Sequence, residues 1–270
     1  MQNQDYHGNS NLMDAKSASR ALLDFWLENG VSVPPIEPIP RNPAPKTADK
    51  PIVKQISTAK YAAPIDGQNL AIDLAKTAKT LDELRDILND FDGCNLKKNA
   101  PQMVFSDGQI DAKIMVIGEA PGQEEAQIGK PFVGAAGKFL DEMLASIGLS
   151  REKNVYITNT VNWRPPANRT PTRDEIAICL PFLMRHIELK APKMLILVGG
   201  TAANAVLNSN EGITKLRKKP HKLELAGLEP IDVFCLFHPA FLLRYPVQKS
   251  LTWKDLLTIE AQIKTMGLLE

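Results

Sequence analysis

Lys113–Gly137, with the sequence KIMVIGEAPGQEEAQIGKPFVGAAG, begins with four consecutive apolar residues at 114–117 and then breaks at glycine. A short apolar run that ends at glycine is typical of a strand buried on both faces of a parallel sheet. Glu119 follows at once, inside the tight turn 118–122. The stretch therefore predicts a carboxylate at the carboxyl end of a strand, which is where open α/β sheets bind their ligands.

The second half of this stretch predicts a turn and a helix. The small residues of Pro131–Gly134 precede an amphipathic helix predicted at about 136–147, and Phe132 lies in the turn rather than on the apolar face of that helix. The stretch contains neither the G-x-x-x-x-G-K-S/T loop nor the G-x-G-x-x-G spacing, so it does not indicate nucleotide binding. Periodicity alone leaves open a simpler interpretation, in which the glycines serve tight packing and Glu119 is a solvated turn residue.

The composition fits one ordinary globular core plus a tail. Of the 270 residues, 44% are apolar and 23% are charged, which is enough for one core of domain size. No apolar run approaches the roughly 18 residues of a membrane span, and the first residues do not have the pattern of a secretory signal. Three cysteines do not form an even disulfide set and indicate a reducing cytoplasm. The net charge of +1 does not decide whether the protein binds nucleic acid.

Prolines divide the chain into two parts. Ala18–Asn29 has an apolar face and predicts a helix, and the seven prolines of Val33–Pro51 indicate an extended, mobile linker. Thr80–Phe91 predicts a short helix with a capping box at its start. We therefore expect residues 1–79 to form an N-terminal helix plus a Pro-rich, disordered linker, and residues 80–270 to form the compact domain.

Three further β-rich segments follow the first strand, with helical patterns between them. They lie at about 154–160, 193–198 and 231–237. This alternation predicts an α/β fold, a three-layer sandwich with a mainly parallel central sheet of about four strands and helices on both faces. Glu119, Asn159 and His238 each come at the end of a strand. We expect all three side chains at one edge of the sheet.

Five short motifs resemble, in order and spacing, the motif set of the family 4 uracil-DNA glycosylases. They are GEAPGQEE at Gly118–Glu125, PFVG at Pro131–Gly134, TN at Thr158–Asn159, RPPANR at Arg164–Arg169 and HPAFLLR at His238–Arg244. The resemblance runs from about Cys94 to the C-terminus. It implies a monofunctional hydrolase of base excision repair, which flips uracil out of DNA, hydrolyses its N-glycosidic bond and leaves an abasic site.

The resemblance also implies roles for the residues at the strand ends. Glu119 and His238 would be catalytic, the former by placing water and stabilising the sugar cation, the latter by stabilising the uracil anion. The Asn159 amide matches the O4 acceptor and N3 donor of uracil, whereas cytosine presents the opposite pattern. The uracil-binding residues implied in this way are Ala120, Glu125, Phe132, Asn159 and His238.

Basic and apolar residues outside the pocket are candidates to contact DNA. The leucines of HPAFLLR would fill the hole left by the flipped base, as apolar wedges do in DNA-bending proteins, and cations would contact phosphates. The bland alternatives are core packing for the leucines and a solvated face for the basic run Lys215–Lys222. The residues assigned to DNA are Arg164, Arg169, Lys215, Arg217, Lys218, Leu242, Leu243 and Arg244.

The cysteines depart from the family pattern. Members of family 4 commonly hold a [4Fe-4S] cluster on four cysteines, and Cys94 and Cys179 match only the first and the fourth. Lys97 and Trp163 stand at the other two positions. Two thiolates cannot replace the four that a cubane cluster needs, so we expect no cluster and no other metal or cofactor.

Two other functions remain open at this stage. One is a uracil-DNA binding protein with little or no turnover, and the other is an unrelated α/β nucleotide-binding or interaction protein. We expect a monomer of the bacterial cytoplasm, associated with the nucleoid through its DNA substrate and not with a membrane. Residues 1–79 would be free to bind a protein partner.

Overall fold

The computed structural model describes residues 66–269. The predicted helix at Ala18–Asn29 and the proline-rich segment lie outside the described residues. In chain order the elements are α1 Asp66–Thr77, α2 Leu81–Asp90, β1 Asp107–Gly108, β2 Ile114–Gly118, α3 Gln123–Ile128, α4 Ala135–Ala145, β3 Val155–Asn159, α5 Arg173–Lys190, β4 Met194–Val198, α6 Gly200–Leu207, α7 Ile213–Leu216, β5 His221–Leu223, β6 Ile231–Leu236, α8 Pro239–Arg244 and α9 Lys249–Met266. Short 3₁₀ turns lie at Lys97–Asn99, Pro166–Asn168 and Pro246–Gln248.

The strands form one sheet in the order β1-β3-β2-β4-β6-β5. The four central strands are parallel and correspond to the four predicted from the sequence. Two short antiparallel strands, β1 and β5, are added at the edges. Strands of two and three residues are too short to show an alternating pattern, which is why the sequence did not indicate them.

Helices cover both faces of this sheet. Ile114 and Val116 of β2 pack into an apolar cluster with α4 and α9, whereas Met115 and Ile117 pack into a second cluster with α5 and α6. Successive side chains of a strand point to opposite faces, so the two clusters lie on opposite sides of the sheet. The predicted three-layer α/β sandwich is confirmed.

A third apolar cluster joins the first two helices to α5. It contains Ala71 and Ala75 of α1, Leu84 of α2, Phe182 of α5 and the buried Trp163. Because α1 precedes residue 80, the packed part of the chain includes residues that the sequence assigned to the N-terminal segment. The sequence around α1 is polar enough that its two buried alanines, Ala71 and Ala75, give only a weak apolar face.

The last residues of the central strands meet at one edge of the sheet. Gly118 of β2 pairs in register with Asn159 of β3, and Val198 of β4 pairs with Leu236 of β6. Pairing continues beyond β2, where the Val161 N–H donates to the Glu119 carbonyl at 3.2 Å. Parallel strands therefore place the residues that follow them side by side.

The structure also describes the segment after β6 and the length and polarity of the helices. The segment HPAFLLR, whose leucines were assigned to DNA, is helical: Pro239–Arg244 forms α8, with His238 as its N-cap. Proline at the first helical position has the φ that a helix needs. Within the part of the chain that the structure describes, no helix is both long and apolar enough to cross a membrane.

His186 on α5 is a buried histidine that stays neutral. Its Nε2 lies 2.9 Å from the Tyr156 hydroxyl oxygen, and its ring stacks on Phe105 with 4.4 Å between the ring centroids. Burial lowers the pKa of His186 from its ordinary value of 6.5 to about 3. Between pH 6.5 and about 3, His186 therefore stays unprotonated in the folded protein, whereas it binds a proton in the unfolded chain.

We expect His186 to make the folded protein sensitive to acid. Between pH 6.5 and about 3 only the unfolded chain binds this proton, so the free energy of unfolding falls as pH falls. The contribution reaches about 1.4 kcal/mol per pH unit. Urea unfolding of the wild type and of His186→Gln across this range should show the steeper loss in the wild type. Parallel curves for the two proteins would contradict a neutral buried ring.

Candidate active site

Asn159 places an unpaired hydrogen-bond acceptor, its Oδ1, at the edge of the sheet where the parallel strands end. The residue is 2% exposed, and its Oδ1 is buried without a hydrogen-bond partner among the described residues. A buried acceptor left unpaired costs about 1–3 kcal/mol, and most such groups in folded proteins are paired. The cost is explained if a ligand supplies the donor.

Gly118 and Phe132 border the same space as this amide. A Cβ on Gly118 would lie 2.5 Å from Asn159 Oδ1 and 2.4 Å from Phe132 Cζ. Any side chain at residue 118 would therefore collide with both groups. The absence of a side chain keeps the amide and the aromatic ring close together at the end of β2.

Phe132 is held in an unusual backbone conformation. Its φ of 54° lies in the left-handed region, which L-residues other than glycine rarely adopt. The Arg151 guanidinium donates to the carbonyls of Pro131 at 3.0 Å and Phe132 at 2.7 Å. A Cβ on Gly137 would lie 2.0 Å from the Phe132 carbonyl carbon, so α4 approaches this loop closely. Arg151 and Gly137 thus fix the loop that carries the ring. Neither residue is marked by a motif or by periodicity in the sequence.

Glu125 joins two loops of the site. Its Oε2 accepts a hydrogen bond from the Gly122 N–H at 3.0 Å, and its Oε1 accepts from the N–H groups of Val133 at 3.0 Å and Gly134 at 2.9 Å. The resemblance to family 4 implied a role in uracil binding for Glu125. Since both oxygens are engaged with the backbone, the structure instead places Glu125 as a residue that positions the Phe132 loop.

His238 presents a neutral ring with one donor. Its Nδ1 accepts a hydrogen bond from the Ala240 N–H at 3.2 Å, so the proton of the neutral imidazole is on Nε2. Burial lowers the pKa of His238, partly opposed by the negative charge of Glu119. The ring lies beside Phe132, with 5.8 Å between the ring centroids. The histidine, the aromatic ring and the amide therefore lie together at this edge of the sheet.

Glu119 is held by a residue that the sequence analysis did not single out. Its Oε2 accepts a hydrogen bond from the Thr201 hydroxyl at 2.6 Å. Thr201 is the second residue of α6, directly after the turn at Gly199 that follows β4. Ala120 follows Glu119 in the turn after β2 and packs against the third apolar cluster. Glu119, which is expected to be catalytic, and Ala120, the predicted uracil contact, thus lie on one turn.

The sequence profile of the uracil DNA glycosylase superfamily matches residues 105–258, which is more than half of the chain. This chain belongs to the uracil DNA glycosylase superfamily. The match spans the turn of Glu119, the Phe132 loop, Asn159 and His238, so the edge of the sheet described above is its candidate active site.

Three similar proteins carry the name type-4 uracil-DNA glycosylase. That of Pyrobaculum aerophilum is 36% identical over 180 residues, covering 65% of this chain and 91% of the relative. That of Archaeoglobus fulgidus is 41% identical over 157 residues, with 57% and 78% covered. That of Thermotoga maritima is 39% identical over 170 residues, with 61% and 86% covered. These relatives confirm the resemblance to family 4 of the superfamily.

Arg217 does not match its assigned role as a DNA contact of this glycosylase-superfamily chain. Its side chain is 7% exposed and pairs with both oxygens of Asp255, at 2.6 and 2.7 Å, while Nη2 also donates to the Leu251 carbonyl. The guanidinium further lies over the Phe237 ring. The assignment to DNA is corrected, because this arginine fastens α7 to α9.

The other cations assigned to DNA remain at the surface. Lys215 and Lys218 are exposed, and the Arg244 Nε donates only to the Ala240 carbonyl, at 3.2 Å. Arg164 donates to Asn168 Oδ1 at 2.6 Å. Arg169 forms a bidentate ion pair with Glu175, at 2.6 and 2.8 Å, so Glu175 partly neutralises its charge.

The two leucines of α8 separate into a core residue and a surface residue. Leu242 is 1% exposed and belongs to the apolar cluster of α4 and α9, so its assignment to DNA is wrong. Leu243 is 44% exposed, and Tyr245 and Val247 are also exposed beyond it. Because neighbouring helical positions face different directions, one leucine of the pair packs and the other projects.

The cysteine region does not fit the cluster known in the family. The Sγ atoms of Cys94 and Cys179 lie 3.9 Å apart in the third apolar cluster, and both residues are buried. The hydrogen bond between the thiols and burial raise the pKa of Cys179 well above its ordinary value. Lys97 is paired with Asp92 at 2.7 Å, and Trp163 fills part of the same cluster.

In the part of the chain that the structure describes, no alternative ligands surround this thiol pair. Within residues 66–269, no group of three or more His, Cys, Asp and Glu side chains could hold a metal ion. Two thiols, an ion-paired lysine and a buried indole do not provide the four anionic ligands of a [4Fe-4S] cluster. The donor set of residues 66–269 therefore does not fit the cluster.

Proposed function

We propose that this protein is a monofunctional uracil-DNA glycosylase of base excision repair, which releases free uracil from DNA and leaves an abasic site. The observation that carries this proposal is the buried, unpaired Oδ1 of Asn159 beside the Phe132 ring and the neutral His238. A flipped base fits such a site, because it supplies a ring to stack and polar edges to pair.

Asn159 selects the base by its hydrogen-bonding pattern. Its Oδ1 accepts from the uracil N3–H, and its amide nitrogen donates to uracil O4. Cytosine presents an acceptor at N3 and a donor at its exocyclic amine, so the same amide orientation leaves both pairs mismatched. Unpaired groups in a buried site are heavily penalised, which gives selectivity without contact to the opposite strand.

His238 stabilises the leaving group. As the glycosidic bond breaks, negative charge develops on the uracil, notably at O2. The His238 Nε2–H is a preorganised donor for that charge, because Ala240 holds Nδ1 as the acceptor. A neutral imidazole is sufficient for this role, and burial keeps the ring neutral.

Glu119 acts on the sugar side of the bond. Its carboxylate stabilises the positive charge that develops at C1′ and orients the water that attacks there, as carboxylates do in sugar hydrolases. The segments that form the site, at 118–125, 131–134, 159, 199–201 and 238, contain no lysine. A Schiff-base step that cleaves the strand is therefore not built into it.

A duplex with one uracil in a labelled strand tests the function. Incubation followed by alkali should cut the strand at the uracil, and untreated samples should stay intact because no strand is cleaved by the enzyme. A matched duplex with thymine at that position is the control. Binding of the uracil duplex without an alkali-sensitive product would favour the second candidate, a uracil-DNA binding protein with little turnover. A protein that neither binds the uracil duplex nor makes it sensitive to alkali would have neither function.

We expect Leu243 to matter more on duplex than on single-stranded substrate. An exposed leucine on α8 can fill the gap that a flipped base leaves, and only a duplex has such a gap. Loss of an apolar wedge of this size costs about tenfold in kcat/KM. Leu243→Ala should show this loss on duplex DNA and little on single strands. Leu257→Ala, a leucine of similar exposure (42%) on α9 outside the site, is the matched control, and an equal loss on both substrates would contradict the wedge.

The absence of an iron-sulfur cluster is part of the proposal. We expect protein purified without oxygen to be colourless, to lack the visible sulfur-to-iron charge-transfer band and to contain no stoichiometric iron, because Cys94 and Cys179 provide only two thiols. Iron analysis should give the same result for Cys94→Ser. Stoichiometric iron and sulfide in the wild type, lost in that variant, would contradict this expectation.

We further propose that the protein acts as a monomer in the cytoplasm. Exposed Lys215, Lys218 and Arg244 lie near DNA phosphates in this proposal, and the segment that precedes α1 binds a protein partner. Phosphate contacts make DNA affinity fall steeply with salt. Light scattering of the full chain and DNA affinity across a range of salt concentrations test these points.

A further inference from the structure

The end of β4 contributes a turn that lies between two residues of the site. In the sheet, β4 is placed between β2 and β6. The turn after β4, formed by Gly199 and the first two residues of α6, therefore lies between Glu119 after β2 and His238 after β6. Gly199 has φ of 96°, and a Cβ there would lie 3.3 Å from His238 Cβ and Cδ2. The turn is thus packed tightly against the imidazole on one side.

On its other side the turn reaches Glu119. The Thr201 hydroxyl donates to Glu119 Oε2 at 2.6 Å, a distance typical of a strong hydrogen bond between a hydroxyl and a carboxylate. Among the described residues, the Thr201 hydroxyl is the one side-chain donor to the Glu119 carboxylate. A glutamate has several rotamers of similar energy, so this contact decides where the carboxylate points.

The hydroxyl is held by a rigid element. Gly199 donates its N–H to the Leu236 carbonyl at 2.9 Å and accepts from the Ala203 N–H at 3.2 Å, which starts α6. Ala202 and Ala203 are buried in the cluster of α5 and α6. Threonine within a helix commonly bonds back to its own helix, but here the hydroxyl bridges 82 residues to another strand end.

We propose that Thr201 is a positioning residue for the glycosylase reaction, which fixes Oε2 of Glu119 so that Oε1 faces the sugar and the attacking water. This inference rests on the role proposed for Glu119. Thr201 does not contact the base or the reacting atoms. Its removal therefore affects the chemical step through the geometry of Glu119 and leaves recognition of uracil unchanged.

Thr201→Val removes the hydroxyl and nearly preserves the shape of the side chain. We expect the single-turnover rate on a uracil duplex to fall about 10–10²-fold, the effect of one hydrogen bond to a charged group. Affinity for a duplex with 2′-fluoro-deoxyuridine, which resists cleavage, should stay at the wild-type value. Thr201→Ser keeps the hydroxyl and should recover most of the rate, which a purely structural role of the methyl group would not allow.

A double-mutant cycle separates positioning from general damage. If Thr201 acts through Glu119, then Thr201→Val should have no further effect on the residual rate of Glu119→Ala. An equal loss in both backgrounds, or a wild-type rate for Thr201→Val, would overturn the inference. Thermal unfolding of Thr201→Val checks that the fold is intact. If the proposed function fails, the wild type itself releases no uracil. If only the inference about Thr201 fails, the wild type is active and Thr201→Val behaves like it.

Discussion

His238→Ala is expected to lower the single-turnover rate of uracil release about 10²–10³-fold, with little change in affinity for uracil-containing DNA. The Nε2–H of His238 faces charge that exists only as the glycosidic bond breaks, so its loss raises the energy of the transition state and not that of the bound substrate. Rapid-quench measurement of the cleavage rate, together with binding to a 2′-fluoro-deoxyuridine duplex, distinguishes these two effects. A large loss of affinity with an unchanged rate would contradict this role.

The pH dependence provides a check on the protonation state of His238. Burial lowers its pKa, against the opposing charges of Glu119 and Glu125 and with the help of Arg244. The ring is therefore neutral throughout the range above its ordinary pKa of 6.5. The rate that depends on His238 should be constant there, and any loss should appear only at lower pH. A loss centred above pH 6.5 that disappears in His238→Ala would show a cationic donor instead.

The position of the site could be predicted because it follows from periodicity and sheet geometry. Apolar runs located four parallel strands, and parallel strands bring their carboxyl ends to one edge. Glu119 and His238 each follow a strand within two residues, and Asn159 is the last residue of its strand. Their convergence thus needed no knowledge of side-chain contacts, only that the strands pair in the same sheet.

What could not be predicted depends on contacts between distant segments. In the sequence, Arg217 is one of several cations in a basic run. In the structure it is buried and forms an ion pair with Asp255 of α9. Leu242 and Leu243 are adjacent and identical, and only the packing of α8 separates their roles. Thr201 and Arg151 act through hydrogen bonds across 82 and 19 residues, respectively, for which sequence periodicity gives no signal.

Asn159→Ala is expected to have the largest effect of any substitution in the site, a loss of about 10²–10⁴-fold in kcat/KM on uracil. Two hydrogen-bonding groups of the flipped base would be buried without partners, each at a cost of about 1–3 kcal/mol. Because pairing persists into the transition state, affinity for the cleavage-resistant duplex should fall as well, in contrast to His238→Ala. Unchanged affinity would contradict the role of Asn159 in base recognition.

Asn159→Asp tests the same pairing by the sign of a pH effect. An ionised carboxylate only accepts hydrogen bonds, so at neutral pH it repels uracil O4 and its activity should be no higher than that of Asn159→Ala. A protonated carboxyl offers one donor and one acceptor, which restores the pattern of the amide. Burial raises the pKa of such a carboxyl, so the activity of Asn159→Asp relative to Asn159→Ala should rise as pH falls from about 8 to 6. The alanine side chain does not titrate, and a constant ratio between the two variants would mean that the residue at position 159 does not face the uracil edge.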